Sequence, residues 1–319
     1  MWFRTLSLSA MIGLHMAGAA VAQNYPNRTI TFVSGYQAGS SSDAIARFIA
    51  EKVKPLAGQT IVVENRQGAN TVIATEHVVR SKPDGYTIFI SSPAGIAAND
   101  ALLKSPPANT DKALRVAATI NRQAFILAVD SSTPYKTLAD LTAAMKPKGA
   151  KASFATYAPS GTLTGALYKA ATGIEAVEVV YRVGAQSLND IQSGALDFGV
   201  YDPLFALAQE RSGRFRLLAI VSQERLQTSP NVPTFTELGM PFAVTAWFSA
   251  IIPAATPQPI VDQINAWFVA AVQQADTKAF LNNIGSEPWA LSSEDANKYF
   301  LSEFENYRKI VAAAKIERQ

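Results

Sequence analysis

The stretch Gly35-Tyr36-Gln37-Ala38-Gly39-Ser40-Ser41-Ser42-Asp43 separates a short apolar run from an amphipathic segment. Upstream, residues Ile30 to Val33 are β-branched and aromatic, which is the composition of a buried strand. Downstream, apolar residues recur at helical spacing from Ile45 to Val53, so a helix is predicted to begin near Asp43. The stretch is therefore the loop of a strand–loop–helix unit.

The composition of this loop is typical of an anion-binding site. Gly35 and Gly39 let a ligand approach the backbone, the serines supply hydroxyl donors, and the N–H groups of a helix N-terminus favour negative charge. The alternative is that Ser42 or Asp43 only caps the helix while the glycines form a turn. A nucleotide-binding Walker loop is excluded, because no Lys-Ser/Thr pair follows the glycines.

Length and composition limit the remaining possibilities. A chain of 319 residues with 48% hydrophobic content exceeds one comfortable core, which predicts two domains with a ligand cleft between them. The absence of cysteine excludes disulfides and thiolate metal sites. The chain has two histidines, His15 and His77, and His15 lies in the predicted signal peptide described below. No G-x-S-x-G element and no pair of catalytic carboxylates stands out. We expect no catalytic residue, no metal and no cofactor.

The first residues resemble an export signal. Arg4 precedes an uncharged stretch, and Ala20-Val21-Ala22 provides a small-x-small cleavage site before Gln23. Residues 1–22 are therefore predicted to be a cleaved signal peptide, and the alternative, a membrane anchor, is disfavoured because the apolar part is short and interrupted. The 28 basic and 25 acidic residues are interspersed, so nucleic acid is not an expected partner.

Strands and helices alternate along the chain, which predicts open α/β sheets. Ligands of such sheets bind beyond the carboxyl ends of the strands, where both the first loop and Ser91 fall. A second loop of the same character, Tyr157 to Thr162, follows another strand. We assign residues 23–122 and 246–319 to domain 1 and residues 123–245 to domain 2, joined by a two-strand hinge. The predicted ligand-binding residues are Tyr36, Gln37, Gly39, Ser40, Ser41, Ser42, Asp43, Ser91, Thr156, Tyr157, Ser160, Thr162, Tyr181, Gly184, Ala185, Tyr201 and Asp202.

An ordered set of short segments resembles one known family, the solute-binding (Bug) proteins of the tripartite tricarboxylate transporters. The segments follow the family's order across the chain: Tyr25-Pro26 with Arg28 and Ile30, Gly39 to Arg47, Val62 to Arg66 with Gly68-Ala69, Pro83 to Thr87, Gly184-Ala185, Gly194 with Asp197, Val232-Pro233-Thr234, and Trp247 with Pro253 and Thr256-Pro257. The resemblance implies a two-domain periplasmic binding protein of type II-like fold, acting as a monomer. It would close over a small carboxylate and deliver it to membrane permease subunits.

The same resemblance implies how the ligand is held. The loops matching Gly35 to Asp43 and Thr156 to Thr162 would grip carboxylates through backbone N–H groups, hydroxyls and waters. The family's usual Gly-Gly is replaced by Ala38-Gly39 or Gly39-Ser40, and the second loop is about two residues shorter and lacks a common histidine. Members of the family that bind amino acids often place an aspartate near Tyr201, where it meets the ammonium group of the ligand.

The ligand itself is inferred from side chains near the predicted cleft. Asp202 would alternate to the other face of an extended chain, which favours a ligand without an amino group. Aromatic residues at predicted strand ends suggest an aromatic carboxylate or dicarboxylate such as terephthalate, with an aliphatic di- or tricarboxylate as the alternative; these residues are Tyr36, Tyr157, Tyr181, Tyr201 and Phe205. A receptor for a periplasmic sensor kinase is the other function the sequence leaves open, and a hydrolase is disfavoured.

Overall fold

The computed structural model describes residues 25–107, 109–222, 224–226, 228–240, 242, 244–313 and 317–318. The predicted signal peptide and its cleavage site lie outside these residues. Within the described ranges, no helix has the length and apolar character needed to cross a membrane.

Eleven strands are found in the described residues. They are β1 (Ile30–Ser34), β2 (Ile61–Asn65), β3 (Thr87–Ser91), β4 (Leu114–Ala124), β5 (Ile126–Asp130), β6 (Ser153–Thr156), β7 (Val177–Val180), β8 (Phe198–Tyr201), β9 (Phe215–Ile220), β10 (Thr245–Pro253) and β11 (Ser286–Pro288).

Eleven α-helices connect or cover these strands in the same part of the chain. They are α1 (Ser41–Ala57), α2 (Val72–Val79), α3 (Pro93–Leu102), α4 (Thr110–Ala113), α5 (Leu138–Lys148), α6 (Pro159–Thr172), α7 (Leu188–Gln192), α8 (Pro203–Arg211), α9 (Gln258–Gln273), α10 (Ala275–Asn283) and α11 (Ser293–Ala313). Short 3-10 turns lie at Ala69–Thr71, Gly149–Lys151 and Gly184–Ser187.

The strands form two mixed sheets. The first has the order β11-β4-β10-β3-β1-β2, in which β1 pairs in parallel with β2 and β3, while β10 is antiparallel to β3 and β4. The second has the order β7-β6-β8-β5-β9, in which β6 is parallel to β7 and β8. We refer to the first sheet with its helices as lobe 1 and to the second as lobe 2. The predicted α/β fold with two sheets is confirmed.

The two segments that cross between the lobes pair with each other. β4 leads into β5 through Phe125 alone, and the returning strand β10 begins with Thr245 opposite Ala124. The sequence-based domain limits at residues 122/123 and 245/246 fall at this crossing and remain a proposal. One apolar core runs from Phe89 in lobe 1 through Ala97 of α3 and Leu163 of α6 to Phe198 in lobe 2.

Three local predictions are corrected by the structure. α1 begins at Ser41, close to the predicted start near Asp43, but its N-cap is Ser40 and not Ser42 or Asp43. Helix α3 follows Ser92, where the sequence suggested only a strand end, because Ser92 caps the helix and Pro93 occupies its first turn. Helix α8 likewise follows Asp202, which is its N-cap.

Candidate functional site

The first loop is held in place by its own hydrogen bonds. The Ser40 hydroxyl accepts from the Asp43 N–H at 3.3 Å, and the Gly39 N–H donates to Asp43 Oδ2 at 2.8 Å. Gly39 has φ 81°, which favours glycine because side chains with a Cβ rarely adopt it. The loop thus delivers Ser41 and Ser42 to the start of α1 in a fixed orientation.

Asp43 anchors this loop rather than facing a cavity. Its side chain is 2% exposed and accepts hydrogen bonds from Arg47 Nε and from Asn65 Nδ2, both at 2.8 Å. Burial raises the pKa of Asp43, but the hydrogen bonds from Arg47, Asn65 and Gly39 outweigh burial and hold the pKa below its ordinary value. The carboxylate therefore stays charged and ties α1 to the end of β2.

A small inner cavity of about 20 Å³ lies where the two lobes meet. This volume accommodates about one water molecule. Its lining comes from the first loop, the starts of α3 and α6, the crossing strands and Asp202. The lining residues are Tyr36, Ser42, Ser92, Gly95, Gln123, Phe125, Tyr157, Ala158, Pro159, Ser160, Asp202, Ala246 and Phe248.

Asp202 is the one acidic residue in the described part of the chain that lines the inner cavity, which corrects the expectation that it faces away. The chain leaves β8 at Tyr201 and turns, so that Asp202 caps α8 by accepting from the Phe205 N–H at 3.1 Å. The Tyr157 hydroxyl also donates to its carboxylate. Burial raises the pKa of Asp202 to about 6, although the Phe205 N–H and the Ser41 hydroxyl of lobe 1 oppose the rise.

A larger outer cavity of about 620 Å³ adjoins the inner one and shares Tyr36, Tyr157 and Pro159 with it. Lobe 1 contributes Gly35 to Gln37 and the turn Gln67–Val72, and lobe 2 contributes Val180 to Arg182. The volume lies within the usual range of small-molecule sites, about 300–1,000 Å³. The ring of Tyr36 packs on Phe248, with 6.0 Å between centroids.

The structure brings only part of the predicted set to these cavities. Tyr36, Gln37, Ser42, Tyr157, Ser160, Tyr181 and Asp202 line one or both of them. Gly39, Ser40, Ser41 and Asp43 build the first loop behind the lining, and Ala185 is exposed outside both cavities.

Several predicted side chains are occupied by neighbours instead. Thr162 Oγ1 donates to Glu178 Oε1 at 2.6 Å, and the Thr156 hydroxyl bonds the same carboxylate. Tyr201 is fully buried and its hydroxyl shares a hydrogen bond with Ser187 at 2.7 Å. Gly184 and Ser91 are buried too, and neither lines a cavity. Tyr201 and Phe205 therefore pack within lobe 2, where their rings lie 5.2 Å apart, rather than forming a cleft rim.

Sequence reasoning missed the residues that line the outer cavity after β2. Gly68, Ala69 and Asn70 form a turn after β2 and are absent from the predicted ligand-binding set. Because β2 is parallel to β1, its carboxyl end opens at the same sheet edge as the first loop, and this adjacency was the available signal. Phe248 and Gln123 of the crossing strands were also missed, since nothing in their own segments marks a ligand site.

The described residues contain no group of three or more potential metal-ligating acidic or histidine side chains. His77 lines neither cavity, and burial lowers its pKa from the ordinary value. The two cavities therefore offer hydroxyls, amides, aromatic faces, one carboxylate and one guanidinium. Such a lining can hold a small polar ligand, and none of its members forms a nucleophile–histidine pair.

Two mixed α/β lobes joined by paired crossing segments, with a cavity between them that is lined by aromatic and hydrogen-bonding side chains, define a two-lobe solute-binding protein. The profile of the tripartite tricarboxylate transporter family receptor, TctC, matches residues 45–316, and the chain belongs to this family. Protein BugT of Bordetella pertussis is 29% identical over 314 residues, which cover 95% of this chain and 96% of BugT.

Solved structures agree with this assignment. The structure of the periplasmic binding protein BugD superposes with a TM-score of 0.85 at 26% identity, covering 92% of this chain and 100% of BugD. The R. palustris protein Rpa4515, solved with adipate, gives a TM-score of 0.86 at 27% identity, again covering 92% of this chain and 100% of the other. The resemblance inferred from the sequence is thereby confirmed at the level of family and fold.

Proposed function

We propose that this protein is a periplasmic receptor that captures a small carboxylate between its lobes and delivers it, as a monomer, to the permease of a tripartite tricarboxylate transporter. The observation that carries the proposal is the cavity pair between the lobes, bounded by the serine-rich N-terminus of α1 and by Tyr157 of lobe 2. Family membership and the adipate-bound relative support a carboxylate ligand.

The ligand body that fits best is flat and aromatic, of the terephthalate kind. Tyr36 and Tyr157 line both cavities, and Phe125 and Phe248 extend the aromatic lining of the inner one. Aromatic faces on several sides favour a planar ring through offset or edge contacts. Because Tyr201 and Phe205 pack inside lobe 2 and the inner cavity is too small for a ring, this part of the proposal depends on Tyr36, Tyr157 and Tyr181 of the outer cavity.

Calorimetric titration of the purified mature protein with terephthalate, benzoate, adipate and citrate tests the proposal. We expect terephthalate to bind without turnover, and Ser42→Ala to weaken binding by about 1–2 kcal/mol because a hydroxyl donor at the inner cavity is lost. Ser302→Ala, on the exposed face of α11, is the matched control and should bind like wild type. Binding of adipate or citrate alone rejects the aromatic ligand, and product formation rejects a pure receptor.

A second candidate ligand is a carboxylate that also carries an ammonium group, and the position of Asp202 favours it. A buried carboxylate at the inner cavity would repel a ligand carboxylate but attract an ammonium. We expect glutamate to bind more tightly than glutarate, and its advantage to grow as the pH rises from 5 to 7.5, because Asp202 with a pKa of about 6 becomes charged. Titrations of both acids across this range measure the effect.

The Asp202→Asn variant separates this candidate from the first one. If an ammonium contacts Asp202, the substitution should weaken glutamate binding roughly tenfold and should leave glutarate binding unchanged or make it tighter, because the repelling charge is gone. Equal binding of the two acids by wild type at every pH would refute an ammonium-bearing ligand.

A further inference from the structure

The outer cavity contains the space that a ligand body needs, whereas the inner cavity holds about one water. With about 620 Å³ against about 20 Å³, any ligand larger than a few atoms must place most of its body in the outer cavity. The residues of the outer cavity therefore contact the end of the ligand that lies away from the inner cavity.

Among the described residues, Arg182 is the one charged side chain that lines the outer cavity. It follows the end of β7 in lobe 2, and among the described residues its guanidinium takes part in no ion pair. A guanidinium carries several N–H donors in a geometry that matches a carboxylate. Arg182 is thus a positive charge available to a ligand on the lobe 2 side.

The lobe 1 side presents an unusual turn. Ala69, Asn70 and Thr71 have φ values of 45°, 50° and 73°, a left-handed conformation that costs residues other than glycine about 1 kcal/mol or more each. The Thr71 N–H closes the 3-10 turn, whereas within the described residues no hydrogen bond uses the N–H groups of Ala69 and Asn70. Consecutive free N–H groups in a turn form a concavity suited to an anion.

Neighbouring side chains hold this turn in place. Asn99 Nδ2 donates to the Asn70 carbonyl at 2.7 Å, and Thr75 Oγ1 donates to the Thr71 carbonyl at 3.0 Å. Thr71 packs so closely on the first loop that a Cβ at Gly35 would lie 2.9 Å from Thr71 Cβ. The carbonyls of Asn70 and Thr71 are therefore satisfied by these side chains, while the N–H groups of Ala69 and Asn70 have no acceptor among the described residues.

We propose that the outer cavity is a subsite for the second carboxylate of a dicarboxylate ligand, with Arg182 on one wall and the N–H groups of Ala69 and Asn70 on the other. This inference rests on the proposed carboxylate-binding function and holds for either ligand candidate above. The subsite makes the protein a selector of two-ended acids, since a monocarboxylate would leave the guanidinium without an anion.

The test compares acids that differ only in the second carboxylate. Terephthalate is titrated against benzoate, and adipate against hexanoate, with wild type and with Arg182→Gln. We expect wild type to prefer at least one of the two diacids over its monoacid by tenfold or more, and Arg182→Gln to abolish this preference without weakening the monoacid. Arg182→Lys keeps the charge and should retain part of the preference.

A matched control removes one positive charge elsewhere. Arg80 lies at the exposed end of α2, outside both cavities. Arg80→Gln should therefore leave the preference for diacid over monoacid unchanged. The subsite is refuted if wild type binds diacid and monoacid equally, or if Arg182→Gln keeps the full preference. If wild type binds none of the four acids, nor glutamate or glutarate, the proposed function fails and the subsite fails with it.

Discussion

Replacing Gly165 with alanine is expected to lower the free energy of unfolding by about 2 kcal/mol, since overpacking of a filled core costs about 1–3 kcal/mol or more. Gly165 lies in the middle of α6, and a Cβ there would come within 2.3 Å of Phe154 Cε2 and 2.8 Å of Cζ. Phe154 is 1% exposed and stacks on Phe198 with an interplanar angle of 4°. The ring has no free space, so α6 must shift away from the second sheet.

Gly95→Ala provides the control, because Gly95 also lies inside a helix, α3, and is also buried. The nearest atoms to its added Cβ would be at 3.8 and 3.9 Å, which is ordinary contact. Alanine is favoured over glycine in a helix by about 1 kcal/mol, so this variant should be as stable as wild type or more stable. Urea unfolding of both variants measures the difference in their free energies of unfolding. Equal stabilities would show that the contact with Phe154 does not restrict the position of α6 against the second sheet.

The strand–loop–helix unit around Gly35 to Asp43 could be predicted from the sequence, because apolar runs and glycine positions are local signals. The sequence was also sufficient for two α/β sheets joined by two crossings. The same local reasoning failed at Asp202, where a strand end and a helix start are adjacent, and it did not predict the helix that Ser92 caps. An alternation argument holds only while the strand continues, and the strand ends at Tyr201.

The candidate site was harder to predict than the fold, because long-range partners decide which side chains are free. Thr156 and Thr162 are typical hydroxyl donors by sequence, yet both bond Glu178 on a neighbouring strand. Nothing in Ala69 or Thr71 indicates a left-handed backbone, since such conformations are usually marked by glycine or asparagine. Asn99 Nδ2 donates to the Asn70 carbonyl of this turn, and this contact between distant residues exists only in the folded chain.

The largest pH effect on stability is expected at Glu303 of α11. Its side chain is 5% exposed, and Oε2 accepts a hydrogen bond from Trp247 Nε1 at 3.1 Å. Burial raises the pKa of Glu303 from 4.5 to about 7, although hydrogen bonds from Trp247 and Tyr299 oppose the rise. The folded protein therefore binds this proton more tightly than the unfolded chain does.

It follows that Glu303 stabilises the fold fully below pH 4.5 and that this contribution is lost as the pH rises to about 7. A shift of this size corresponds to as much as about 3 kcal/mol, at 1.36 kcal/mol per pKa unit. Glu303→Gln keeps an acceptor for Trp247 but cannot ionise. We expect the variant to match wild type near pH 4.5 and to be more stable by up to about 3 kcal/mol above pH 7.

Urea unfolding of wild type and Glu303→Gln from pH 4.5 to 8 checks this expectation through the difference between the two curves. Asp202 titrates in an overlapping range, but it is present in both proteins and cancels from the difference. Glu51→Gln, at an exposed position on α1, removes the same charge without burial and should give a difference near zero throughout. If the Glu303→Gln difference is also independent of pH, then the buried carboxylate ionises as readily in the folded protein as in the unfolded chain, and water must reach it beside Trp247.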